Sequence, residues 1–176
     1  MSRHDTALLV VDVQEKLLPL IPGQARMVWN VRRLIDGAKL LGMSVLATEQ
    51  YPKGLGHTPP VLAQRLGTIP EKLTFSCGEC GELFAGLGER GVHRMLVCGI
   101  ETHVCVNQTV LDLLGHGVAT HVVADAVASR TDANRELGLH RMERAGATIT
   151  SVETALFELL GGSDAPAFKE VQALVK

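Results

Sequence analysis

Aromatic residues are scarce in this chain: Phe, Trp and Tyr make up 3% of its 176 residues. Its core must therefore be filled mostly by aliphatic side chains. An excess of one charge is missing too. Lys and Arg number 17 against 19 Asp and Glu, for a formal charge of −2. That balance gives no electrostatic reason to expect a nucleic acid or an anionic membrane as partner. No run of lysines and arginines interrupts it, and no apolar stretch approaches the length of a membrane span. The opening segment, MSRHDTALLVVDV, has too short an apolar run for a signal peptide and leads straight into a strand pattern. Four cysteines in a chain of this size do not make a disulfide scaffold, so a reducing, cytoplasmic compartment is expected. Internal repeats, low-complexity tracts and linkers are absent, and the length fits one domain over residues 1–176. No G-x-G-x-x-G follows the first apolar run, which removes the phosphate-binding turn of a dinucleotide site.

What the chain does have is an alternation of strand and helix patterns. Ala7–Val11 (ALLVV), Met95–Cys98 (MLVC) and His121–Ala124 (HVVA) are continuous apolar runs, as in strands buried on both faces. Ser44–Thr48 and Thr148–Ser151 read as shorter strands. Gln24–Leu41 reads as a helix with Val28, Val31, Ile35 and Ala38 on its inner stripe, stopped by Gly42. Asp132–Ala145 reads as another, with Leu137, His140, Met142 and Ala145 as inner candidates. Pro59–Leu66, Leu83–Glu89, Glu153–Leu160 and Pro166–Val175 complete the helices. This order predicts an α/β protein: a three-layer α-β-α, Rossmann-like fold with a mainly parallel central sheet of about six strands.

Chemistry concentrates between Arg94 and Leu114. Gly99 ends the apolar run, Thr102 is placed to cap a helix, and Val106, Val110, Leu113 and Leu114 share one helix face. Cys105 then falls at the third position of the first turn. Unpaired N–H groups and the helix dipole there favour a thiolate, the nucleophilic form. A buried cysteine that merely packs is the competing reading. Asp12 closes the first strand, where open α/β sheets place ligands, and capping of the next loop is its alternative. Asp125 closes a second strand and is expected to bond the amides of the Ala126–Arg130 turn. Lys72 emerges beside a short strand at the same end, although most lysines are solvated surface residues. Pro52–Pro60 is an irregular loop, a wall or lid over a pocket. Cys77-Gly78-Glu79-Cys80 is a C-x-x-C with no second pair and no H-x₃₋₅-H partner, which leaves zinc poorly supported. A redox dithiol and two packed small residues remain its readings.

These residues resemble one known family, the isochorismatase-like cysteine hydrolases. The likeness is carried by LLVVDVQ around Asp12, by Lys72 with Phe75-Ser76 just beyond, and by VCGIETHVCVNQTVLDLL around Cys105. HVVADAVASR and the closing ETALFELLG also match, so nearly the whole chain is covered. The resemblance implies a catalytic triad of Asp12, Lys72 and Cys105. It implies a cis peptide between Ile100 and Glu101, with the N–H groups of Glu101 and Cys105 forming an oxyanion hole. The implied reaction is hydrolysis of a small amide or related C–N bond through a thioester on Cys105. Asp12 would move the proton, and Lys72 would keep Asp12 ionised. His103 is an alternative base, but two residues from Cys105 it points elsewhere. Nicotinamidases of the family carry an Asp-x-His…His metal site where this chain reads TEQYPKGLGHT with only His57, so no metal and no cofactor are expected. Isochorismatases proper lack the cysteine. Gln14, Glu49, Gln50, Tyr51 and Thr102 are candidates for substrate contact. A small-molecule substrate and a homo-oligomer are the expected partners. A binding protein on the same fold, without turnover, is the alternative function.

Overall fold

The computed structural model describes residues 1–176. Six strands form one sheet: β1 (Thr6–Val11), β2 (Val45–Gln50), β3 (Glu71–Lys72), β4 (Arg94–Ile100), β5 (Ala119–Ala128) and β6 (Thr148–Thr150). Their order is β3-β2-β1-β4-β5-β6, and every neighbouring pair is parallel. The helices are α1 (Gln24–Leu40), α2 (Pro52–Leu55), α3 (Pro60–Ala63), α4 (Gly81–Phe84), α5 (Asn107–Gly115), α6 (Asp132–Arg144), α7 (Val152–Leu160) and α8 (Phe168–Val175).

Strand alternation builds the three layers. Leu8 and Val10 of β1 pack with Val31, Leu34 and Ile35 of α1, Leu156 of α7 and Val171 of α8. Ala7, Leu9 and Val11 face the other way, toward Val110 and Leu113 of α5 and Leu139 and Met142 of α6. Both faces of β1 are covered, which is why its sequence is apolar without alternation. Each fully buried Leu or Ile here contributes about 1.5–3 kcal/mol relative to exposure; Leu8, Leu9, Leu34, Ile35 and Leu96 are among the largest.

Several expected boundaries shift. The inner stripe of α1 is Met27, Val31, Leu34, Ile35 and Ala38, with Val28 only half-buried. On α6 the buried residues are Gly138, Leu139 and Met142, while Leu137 and Ala145 are exposed. The reason is the close approach of α6 to the turn after β4: a Cβ on Gly138 would lie 2.9 Å from the Thr102 carbonyl oxygen. The helix expected over Leu83–Glu89 reduces to α4. Asp125 does not end a strand. β5 runs on to Ala128, and its register against β4 slips between Val97 and Gly99. Asp125 sits in that irregular stretch, and its Oδ1 accepts the Val152 N–H at the start of α7 at 2.9 Å. It anchors that helix, not the turn after its own strand.

The chain builds β1, β2 and β3 outward on one side, then returns to lay β4 on the other side of β1. Such a switch of direction opens a crevice at the carboxyl ends of the two central strands. Gly99 lets those ends approach. It has φ +124°, and a Cβ there would lie 2.1 Å from the Val11 carbonyl oxygen.

Candidate active site

Asp12 follows β1 directly, at the mouth of this crevice. Its backbone is left-handed, with φ 50°, a region that a non-glycine residue rarely adopts. The residue is fully buried. Thr48 Oγ1, on β2, donates to Asp12 Oδ1 at 2.8 Å. Lys72 Nζ, at the end of β3, donates to Asp12 Oδ2 at 2.6 Å. The same ammonium donates to the carbonyls of Thr74 at 3.0 Å and Phe75 at 2.9 Å. An ammonium has three N–H donors, and all three are used inside the protein. Lys72 is therefore not a solvated surface lysine.

After β4 the chain makes a π-helical turn, Thr102–Val106, before α5 begins. Single π-helical turns are frequent at functional sites. Cys105 is the fourth residue of this turn, not the third of an α-helix. Glu101 occupies the cap position, and Thr102 makes no cap: it is fully buried and its Oγ1 has no hydrogen-bond partner. The peptide bond between Ile100 and Glu101 is cis. Tethers to the end of β5 hold the turn. Glu101 Oε2 accepts the Arg130 backbone N–H at 3.0 Å and Arg130 Nε at 3.1 Å. His103 Nδ1 lies 3.0 Å from Ser129 Oγ, so this alternative base is engaged away from Cys105. Cys105 is 8% exposed. It faces Asp12 closely enough for each to shift the other's titration.

Burial dominates the electrostatics of the pair. Burial pushes the Asp12 carboxyl above its ordinary range, and Lys72, which opposes this, does not cancel it. Burial also pushes the Cys105 thiol up, and the Asp12 charge adds to the effect. A helix terminus on its own favours the thiolate. Here the loss of water around the sulfur and a facing carboxylate outweigh it. Burial and the facing acid both oppose the thiolate at Cys105, and burial raises the basicity of Asp12.

The candidate contact residues divide. Gln14 is fully buried and spent on the backbone: Nε2 donates to the carbonyls of Gln50 at 3.0 Å and Gly56 at 2.7 Å, and Oε1 accepts the Gln50 N–H at 2.8 Å. Glu49 holds the loop after β2, accepting the Thr58 N–H at 2.6 Å and facing His57 Nδ1 at 2.9 Å. Burial works to raise its pKa, but these two partners bring it below the ordinary carboxylate value. Gln50 Nε2 reaches the Leu73 carbonyl at 3.1 Å. These three residues shape the loops. Tyr51, half-exposed, borders with Lys72 and Leu73 a cavity of about 430 Å³. Sequence reasoning does not single out Thr48. The signal that could find it is its place at the end of SVLAT, level with the end of β1 across the sheet.

Cys77 is buried behind Thr48, its Sγ 3.5 Å from Thr48 Oγ1, and its N–H donates to Thr109 Oγ1 at 3.0 Å. All four cysteines are free thiols. No three His, Cys, Asp or Glu side chains converge as a metal ion would need. No helix is long and apolar enough to cross a membrane.

Comparison with known proteins agrees with this architecture. The isochorismatase domain family model matches residues 6–154. Isochorismatase domain-containing protein 1 of Danio rerio is 40% identical over 181 residues, covering 100% of this chain and 62% of that protein. The chain thus spans less than two thirds of that relative's length. A protein of Phytophthora sojae named secreted isochorismatase effector Isc1 is 38% identical, over 98% of this chain and 85% of its own. A Caenorhabditis elegans structure named MAR1 ribonuclease superposes with a TM-score of 0.93 at 43% identity, covering 99% of this chain and 91% of that one. The chain belongs to the isochorismatase domain family.

Proposed function

We propose that the protein is a metal-independent cysteine hydrolase that cleaves a small amide or related C–N bond through Asp12, Lys72 and Cys105. Membership of the family supports a hydrolase-type function. The finer reading rests above all on one observation: a buried carboxylate, held by Lys72 at 2.6 Å, faces the Cys105 thiol.

Cys105 Sγ attacks the carbonyl carbon while its proton passes to Asp12. The raised basicity of Asp12 suits this transfer, and the thiol loses its proton only as the new bond forms. The backbone N–H groups of Glu101 and Cys105 receive the oxyanion; one such donor is worth roughly 2.7–4 kcal/mol of barrier. The C–N bond breaks, and the departing nitrogen takes the proton from Asp12. Water then gives its proton to Asp12 and attacks the thioester, releasing the acid and restoring the thiol. Lys72 has no free N–H for substrate, so its part is to hold Asp12 in place and offset its charge.

Incubation with a panel of small primary amides, followed by mass spectrometry of the intact protein, tests this. The expected result is an acyl mass on Cys105, release of ammonia, and loss of both in Cys105→Ala. A folded protein that forms no adduct and releases no ammonia would favour the binding-protein reading. The ribonuclease named for the Caenorhabditis elegans relative supplies a control arm. RNA cleavage that survives Cys105→Ala would move the reading away from a cysteine hydrolase. A cytoplasmic setting is part of this proposal, and cell fractionation checks it against the relative named as secreted.

A further inference from the structure

A second cavity lies at the other end of the sheet, on the α5 face. Its volume is about 320 Å³, at the small end of the roughly 300–1,000 Å³ typical of ligand pockets. Phe84, Leu87, Met95 and Leu113 supply apolar wall, and the last three are buried members of the core. Gly88 leaves part of the wall without a side chain. Asp12, Lys72 and Cys105 are not among its lining residues, so the proposed hydrolysis makes no use of it.

Two nitrogen-bearing side chains border this apolar space, Arg94 and His116. Arg94 spends its Nε on Asp5 Oδ2 at 3.1 Å. Its two terminal nitrogens make no hydrogen bond within the protein. A guanidinium with that edge free presents parallel N–H donors matched to a carboxylate. His116 Nδ1 lies 2.7 Å from the Asp112 carbonyl oxygen. A carbonyl only accepts, so Nδ1 carries the hydrogen and Nε2 is left free. Asp5 offsets part of the Arg94 charge from outside the cavity, and no carboxylate lines it.

We propose that this cavity binds a small organic carboxylate, with its apolar body against Phe84, Leu87, Met95 and Leu113 and its carboxylate on the terminal nitrogens of Arg94. The assignment does not depend on the hydrolase reading. A neutral apolar guest would fill the same volume but leave those donors unmatched.

Isothermal titration with hexanoate and 4-methylbenzoate, with 1-hexanol as the neutral control, tests it on the whole chain. At least one acid binds at a single site, and hexanol binds more weakly than hexanoate. In Gly88→Phe the affinity falls at least about tenfold through filling of the cavity. The position is open, with no atom within 4 Å of where a Cβ would stand, so the substitution meets no clash at the backbone. In Arg94→Leu it falls by a similar factor, since a charge-assisted bond is lost. Cys105→Ala binds like the native chain. The proposal is overturned if neither acid binds, if Gly88→Phe binds as well as the native chain, or if Cys105→Ala abolishes binding. An Arg94→Leu chain that folds, by its urea midpoint, and binds undiminished overturns the carboxylate assignment. Should that variant not fold, Gly88→Phe and the hexanol comparison decide.

Discussion

Asp12 follows the apolar run of β1, and Asp125 follows the apolar run that opens β5. In sequence the two look alike, each an acid closing a buried strand. In the folded chain Asp12 is fully buried, left-handed, and bonded to side chains from two other strands. Asp125 is exposed, inside a strand that continues past it, and bonded to a backbone N–H of α7. The difference comes from strand order. β1 lies at the switch point, where β2, β3 and β4 all bring their carboxyl ends toward one place. β5 lies between β4 and β6, away from that point. Of these two acids, the one that gathers side-chain partners is the one beside which several other strands end.

The sharpest way to test this contrast is to make the same change at both acids. Asp12→Asn is expected to slow acylation of Cys105 by about 10²–10⁴-fold, the usual worth of a positioned base. Asp125→Asn should leave that rate within error. Intact-protein mass spectrometry reads both.

Stability separates them next. Lys72→Met leaves the Asp12 carboxylate buried without its cation and should cost about 3–5 kcal/mol, read from urea denaturation. Asp125→Ala removes one helix-start acceptor and should cost about 1 kcal/mol. Adding Asp12→Asn to Lys72→Met should recover part of the loss, because the two residues act as a pair. Strict additivity would break the comparison.

The third test is titration. The Cys105 thiol is raised, so its alkylation by iodoacetamide should stay slow until the pH passes the ordinary thiol range near about 8.5. The facing Asp12 charge contributes to that rise, so Asp12→Asn should move the onset to lower pH even as acylation fails. An onset unchanged or moved upward would show that Asp12 does not face the thiol as an anion. The smallest effect is expected at Arg130. Its side chain is more than half exposed, so Arg130→Ala should cost less than about 1 kcal/mol. Loosening of the Glu101 tether should still change the rate of Cys105 alkylation a few-fold.

Much of this fold is legible in the sequence because its central strands are covered on both faces. ALLVV and MLVC carry no alternation, and few arrangements besides a doubly covered strand produce that pattern between turn residues. Asp12, Lys72 and Cys105 are legible as residues, and the structure brings the three together. What stays hidden depends on backbone partners. Gln14 and Glu49 bond the N–H and carbonyl groups of the loop after β2, and no side-chain pattern announces where a distant carbonyl will lie. The inner face of α6 escapes apolar periodicity because Gly138 is chosen by the nearness of the Thr102 carbonyl. The direction of the Cys105 titration escapes for a related reason. The helix end is local and visible, whereas burial and the facing carboxylate are products of the whole fold.

The strand order also sets when the crevice can exist during folding. Lys72 and Asp12 are 60 positions apart, and β1 pairs with β4 from Thr6↔Arg94 onward. Parallel pairing between such distant segments must overcome loop-closure entropy before its contacts repay it. While β4 is undocked from β1, β1 lacks one of its two neighbours, and Asp12 does not yet face the turn that bears Cys105. The meeting of Asp12 and Cys105 is therefore expected late in refolding, and the rate of Cys105 alkylation during refolding would time closure of the sheet's centre.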